Sequence, residues 1–161
     1  MTNENKWLLI ERVFDAPIEM VWKMWTDPTL FQQWYGPNGM KIPTAEMDVT
    51  IGGRRKICME MTRPDRTMTM WFSGEYKEIQ EPTRLVYTES MCDKDGNIIS
   101  PQAMGMPEGH PEITEIIIEL SDDGGKTRMK MIHIGVPADS PGAGGWQQAF
   151  DKFAGLLSGF S

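Results

Sequence analysis

The sequence predicts a single α+β domain over residues 1–161: a curved seven-stranded antiparallel sheet wrapped on a long C-terminal helix, with two short helices after the first strand. Three observations carry this. Apolar and polar residues alternate at period two through most of the middle of the chain, the mark of half-buried strands. Helical spacing shows after Phe14 and again after Gly142. At 161 residues there is room for one domain, and a domain of that size buries roughly 70% of the surface its unfolded chain exposes.

The elements follow in order. Lys6 to Phe14 reads as the first strand. "DAPIEMVWKMWTDP" then places Ile18, Val21, Trp22 and Trp25 at three- and four-residue intervals behind an Asp15-Ala16-Pro17 start signal. Asp27-Pro28 is a second cap-and-start pair, so "TDPTLFQQWYGP" predicts a short second helix that stops before Gly36-Pro37. Strands are expected near Lys41 to Val49, Arg54 to Thr62, Thr67 to Ile79 and Arg84 to Met91, separated by Gly52-Gly53, Arg63-Pro64-Asp65 and Glu81-Pro82. The Gly- and Pro-rich "CDKDGNIISPQAMGMPEGHPE" predicts a long loop.

A hairpin follows. In its first arm Glu115 and Glu119 share the wet face with Ile113 and Ile117, which leaves Thr114, Ile116, Ile118 and Leu120 on the other. Asp122, Asp123, Gly124 and Gly125 supply the turn, and the return arm sets Arg128 and Lys130 against Met129, Met131 and His133. His133 is therefore expected to point inward. In the last segment Trp146, Phe150, Phe153, Leu157 and Phe160 form one helical stripe, an apolar lid for a sheet with one apolar face.

The same alternation extends to the other strands. Arg54, Lys56 and Glu60 read as outward, leaving Arg55, Ile57, Met59 and Met61 inward, and Met68, Met70 and Phe72 share a phase on the next strand. A bulge near Gly74 is expected. On the fifth strand two phases compete, and the one carrying Leu85, Tyr87, Glu89 and Met91 is taken as inward because it buries more apolar area. The candidate ligand-binding surface is then Met59, Met61, Met70, Phe72, Tyr87, Glu89, Met91, Ile116, Ile118, Met131 and His133, closed by Trp146, Phe150 and Phe153, with Trp25, Phe31 and Trp34 at one mouth. Such a surface either packs as a filled core or encloses an apolar cavity with a few polar groups.

Inward charges need partners, so Arg55 and Glu89 are expected to pair with each other. His133 reads either as an orienting or proton-transferring group beside Glu89 or Tyr87, or as a buried histidine satisfied by a carbonyl or water. Fourteen methionines, several on strands, suit either a loosely specified core or an adaptable binding surface.

Other chemistries find less support. A formal charge of −7 argues against nucleic acid. Cys58 and Cys92 fit no metal or redox spacing, and His110 in "EGHPE" lacks the helical spacing of a zinc motif, so no metal site is expected. "IGGRRK" is neither a P-loop nor a dinucleotide fingerprint, and no serine sits in an elbow motif. No cofactor and no catalytic residue is assigned. No apolar run approaches the ~20 residues of a membrane span, and "MTNENKWLLIERVF" lacks a secretory pattern, so a cytoplasmic protein is expected.

Several motifs, in order along nearly the whole chain, point to a family: "FDAPIEMVWKMWTDP", "WYGPNGM", "DVTIGGRRK", "GEYKEIQEPTRLVYTE" and "GWQQAFDKF". With them the sequence resembles the START-like, helix-grip superfamily, also called SRPBCC, in the branch named for homology to the activator of the ninety-kilodalton heat-shock-protein ATPase. The resemblance implies a helix-grip fold. Related proteins include lipid and hormone carriers, polyketide cyclases and aromatases, and co-chaperone domains, so fold alone does not decide function. The expected function is binding of a small hydrophobic or amphipathic molecule between sheet and C-terminal helix, as a carrier or sensor. The alternatives are an enzyme of cyclase, aromatase or hydrolase type using the same cavity, and a co-chaperone-like interaction module presenting Met104 and Met106. A protein partner or homodimer stays open.

Overall fold

The computed structural model describes residues 7–100, 112–138 and 142–159. The elements run β1 (Trp7–Phe14), α1 (Ile18–Thr26), α2 (Pro28–Trp34), β2 (Met40–Met47), β3 (Arg54–Thr62), β4 (Thr67–Gln80), β5 (Arg84–Cys92), β6 (Thr114–Asp123), β7 (Lys126–Pro137) and α3 (Gly142–Ser158). The α+β architecture agrees with the sequence expectation. Met104, Met106, His110 and Phe160 lie outside the described residues.

All seven strands join one antiparallel sheet in the order β1-β7-β6-β5-β4-β3-β2. From β2 to β7 the chain is a meander. β1 departs from it by pairing with β7, from Leu8 opposite His133 to Phe14 opposite Thr127. The two helices therefore carry the chain from one edge of the sheet to the other.

Local chemistry sets this crossover. The Asp27 carboxylate accepts hydrogen bonds from the backbone N–H groups of Thr29 (2.9 Å) and Leu30 (3.4 Å), and Pro28 occupies the first turn of α2, where its missing N–H costs nothing. The Trp34 indole N–H donates to the Met24 carbonyl at 2.8 Å, which ties the end of α2 to α1. The turn expected at Asp122, Asp123, Gly124 and Gly125 is shorter: both aspartates stay in the ladder, with Asp123 opposite Lys126, and Gly124 and Gly125 alone make the turn at positive φ (65° and 94°).

The faces follow the alternation. Ile116, Ile118, Leu120, Met129 and Met131 are buried, and Tyr87 pairs with Ile116 while Leu85 pairs with Ile118, so the Tyr87 phase of β5 faces inward. On β3 and β4, Ile57 lies opposite Phe72 and Met59 opposite Met70. The irregularity expected near Gly74 falls slightly later, between Tyr76 and Glu78. Gly74 has a different reason to be glycine: a Cβ there would stand 1.8 Å from the Thr88 carbonyl oxygen.

The core lies between this face and the helices. Phe153 stacks on Phe14 at 4.6 Å and meets Trp34 edge-on at 4.7 Å, and Trp25 meets Trp34 edge-on at 4.7 Å. The Thr127 hydroxyl, buried with this core, donates to the Ala16 carbonyl at 2.7 Å. Cys58 and Cys92 lie abreast of Trp71 on the opposite face as buried free thiols, and burial raises the pKa of both.

Candidate functional site

Most of the sheet–helix interior is packed. A space lies where the segment after α2 meets the first turns of α3. This cavity holds about 330 Å³ and is walled by Tyr35, Gly36, Pro37, Met59, Glu89, His133, Gly145, Trp146 and Ala149. Small residues line the helix side: Gly145 and Ala149 are four apart on α3, and at Gly145 the missing Cβ lets Pro37 close to within 3.2 Å of where it would stand.

His133 is buried, at 8% exposure. The Trp146 indole N–H donates to its Nδ1 at 3.1 Å, and its Nε2 lies 2.9 Å from the Thr114 hydroxyl. The Thr114 hydroxyl in turn donates to the Glu89 carbonyl at 3.2 Å. Because an indole nitrogen can only donate, Nδ1 must accept, and the ring proton sits on Nε2 and points at Thr114. The order of donation from α3 through β7 and β6 to β5 fixes a neutral imidazole.

A second network lies behind the cavity. Arg55, 2% exposed, places its guanidinium carbon 3.8 Å from the Tyr87 ring centroid and 5.4 Å from that of Phe31. Its NH1 meets Glu89 Oε2 at 3.3 Å, and the Tyr35 hydroxyl donates to the same oxygen at 3.0 Å. Since Tyr35 spends its proton on Glu89, the contact of 3.2 Å between the Tyr35 and Tyr87 hydroxyls is donated by Tyr87. Arg55 Nε has no hydrogen-bond partner among the described residues, so aromatic faces solvate much of the cation.

Burial works against the Arg55 charge, yet the surrounding Tyr87, Tyr76 and Tyr35 phenols and Glu89 more than offset it and raise its pKa. Burial also pushes the Tyr35 and Tyr87 phenols well above their ordinary range. Both stay protonated as donors.

Of the residues expected to bind ligand, Met59, Glu89, His133 and Trp146 line the cavity. Tyr87 lies one step behind, through Tyr35. Ile116, Ile118, Met131, Phe150 and Phe153 are in the packed core, each fully buried. Trp25, Phe31 and Trp34 were expected at a mouth, but all three are buried at 0–1% exposure, because they pack on each other and on α3. Met70 and Phe72 flank the core as half-buried residues. Met61 is likewise half-buried near the strand end, and Met91 lines a separate groove with Trp71 and Ile99.

The expected Arg55–Glu89 pair is present. His133 differs from expectation: its hydrogen bonds run to Thr114 and Trp146, while Glu89 and Tyr87 are engaged with Arg55 and Tyr35. Tyr35, Gly36, Pro37, Gly145 and Ala149 were not anticipated in the wall. The small pair Gly145 and Ala149 beside the aromatic stripe was the available signal. Among the described residues no cluster of His, Cys, Asp or Glu is arranged to hold a metal, and no helix is long and apolar enough to cross a membrane.

The fold recurs among solved structures. A protein from Rhodobacter sphaeroides superposes with a TM-score of 0.76 at 18% identity, covering 100% of this chain and 98% of its own. One from Nitrosomonas europaea gives 0.74 at 20% identity, covering 98% and 97%. A third, from Chromobacterium violaceum, gives 0.71 at 25% identity, covering 93% and 96%. No curated protein matches the sequence. The family model described as "Activator of Hsp90 ATPase homolog 1-like protein" matches residues 15–158, and the chain belongs to that family.

Proposed function

We propose that this protein binds a small apolar or amphipathic molecule in the cavity between β3, β5, β7 and the first turns of α3, as a carrier or sensor. The observation that carries this reading is the wall itself: Met59, Trp146, Ala149 and Pro37 supply apolar surface, while Glu89, Tyr35 and His133 place polar groups on one side. At about 330 Å³ the space lies at the lower end of the usual range of ligand sites, roughly 300–1,000 Å³. Burial of ligand apolar surface, at about 25 cal/mol per Å², supplies the affinity. The polar side supplies orientation.

Binding is favoured over turnover by the state of His133. A general base needs an open lone pair, and here the Nδ1 lone pair already accepts from Trp146.

Native mass spectrometry of protein purified without detergent tests the reading, together with titration of a panel of lipids, flavonoids and alkylphenols. A bound small molecule is expected in the wild type, and its loss in Ala149→Leu, whose larger side chain fills the cavity while thermal unfolding confirms a folded helix. Absence of binding across the panel, or equal binding by the filled variant, counts against it.

A further inference from the structure

We infer that the cavity selects ligands through a hydrogen-bond donor, a hydroxyl or an amine, and rejects carboxylates; this rests on the binding reading above. Among the described residues, every side-chain donor of the wall is committed: the Trp146 N–H to His133, the His133 Nε2–H to Thr114, and the Tyr35 O–H to Glu89. The two nearby cations are also engaged, Arg55 with Glu89 and the Lys152 ammonium with the Pro37 carbonyl at 3.3 Å.

What remains is an acceptor. Both contacts on the Glu89 carboxylate, from Arg55 and Tyr35, fall on Oε2. Oε1 makes no hydrogen bond among the described residues, and Glu89 belongs to the cavity wall with its side chain 11% exposed. The ion pair is thus oriented, guanidinium in the protein and carboxylate toward the space. A ligand that donates to Oε1 completes the carboxylate, whereas an anionic ligand would place like charges together in a desolvated site.

The arrangement has one feature of opposite sign. The first turn of α3 reaches the wall at Gly145, and helix starts favour anions. Carboxylate binding there is the outcome that separates the two.

The experiment uses the full chain and ligands with one skeleton: 4-butylphenol, 4-butylaniline, 4-butylbenzoate and butylbenzene, titrated calorimetrically at pH 7. The donors are expected to bind about ten- to a hundredfold more tightly than the benzoate, with butylbenzene between them. Glu89→Gln keeps an oxygen acceptor but removes the charge, and the donor-over-carboxylate ratio should fall by at least about tenfold. Tighter binding of the benzoate, or of butylbenzene on a par with the phenol, overturns the inference while leaving a binding cavity. Binding by none of the four removes the cavity reading and the inference together. Because the wild-type series alone decides between donor and carboxylate, the test stands even if Glu89→Gln does not fold.

Discussion

Removing the anion from beside Arg55 should unfold much of what holds the cavity's back wall. The guanidinium is 2% exposed and Glu89 is the anion that it meets, at 3.3 Å. At an effective dielectric of ~20 that separation corresponds to roughly 5 kcal/mol of attraction. In Glu89→Leu the cation keeps its contact with the Tyr87 ring, worth about 2 kcal/mol when desolvated, but has no counter-charge among the described residues. We therefore expect Glu89→Leu to lose about 3–5 kcal/mol of stability, a fall of ~6–20 °C in Tm for a chain of this size. Arg55→Met should cost less, because the remaining carboxylate touches the cavity and keeps the Tyr35 hydrogen bond. The double variant should return to within about 1 kcal/mol of wild type, since two apolar residues can replace a buried pair. Urea unfolding of the four proteins gives the cycle. If Glu89→Leu loses under about 1 kcal/mol, or the double variant is as unstable as Glu89→Leu, the buried-pair argument is wrong.

Other outcomes follow from the same geometry. Trp146→Phe retains the ring that stacks on Phe150 but deletes the donor to His133, so stability should fall by about 1 kcal/mol and nitrogen NMR should lose the Nε2–H tautomer as the sole form. Tyr35 and Tyr87 have raised folded pKa values, so their contribution to stability is full below the unfolded value near pH 10 and declines above it as the unfolded chain sheds protons. Two such groups give a slope of about 2.7 kcal/mol per pH unit, and alkaline urea titration of Tyr87→Phe should show about half of it. Gly74→Ala would drive a Cβ to 1.8 Å from a backbone oxygen that cannot swing away, and a loss of about 3 kcal/mol or more is expected in thermal unfolding.

The parts of the fold legible in the sequence were those where one local period decides the outcome. Glu115 and Glu119 mark the wet side of β6 so plainly that Ile116, Ile118 and His133 had to face inward. Arg55 and Glu89 could be paired across two strands because both fell on inward phases and neither charge is tolerable alone. The cavity was harder to place. Phe150 and Phe153 draw attention as a stripe and fill the core, whereas the inconspicuous Gly145 and Ala149 line the space. Tyr35 to Pro37 reads as the end of a helix, and only tertiary structure brings that turn against α3. Likewise, the Trp146–His133 bond joins an edge-proximal strand to a helix, and no spacing within either element announces it.

A ligand titration read at Trp146, Glu89 and Ala149 probes the open, polar-sided hollow beside Trp146 and His133. In two-dimensional ¹H–¹⁵N spectra recorded while 4-butylphenol is added, the Trp146 indole resonance and the Glu89 and Ala149 amides should move together along one saturable curve, with the Trp25 indole unmoved in its packed core. Spectra that stay fixed, or that shift evenly over the surface without saturating, would mean that no ligand enters this hollow.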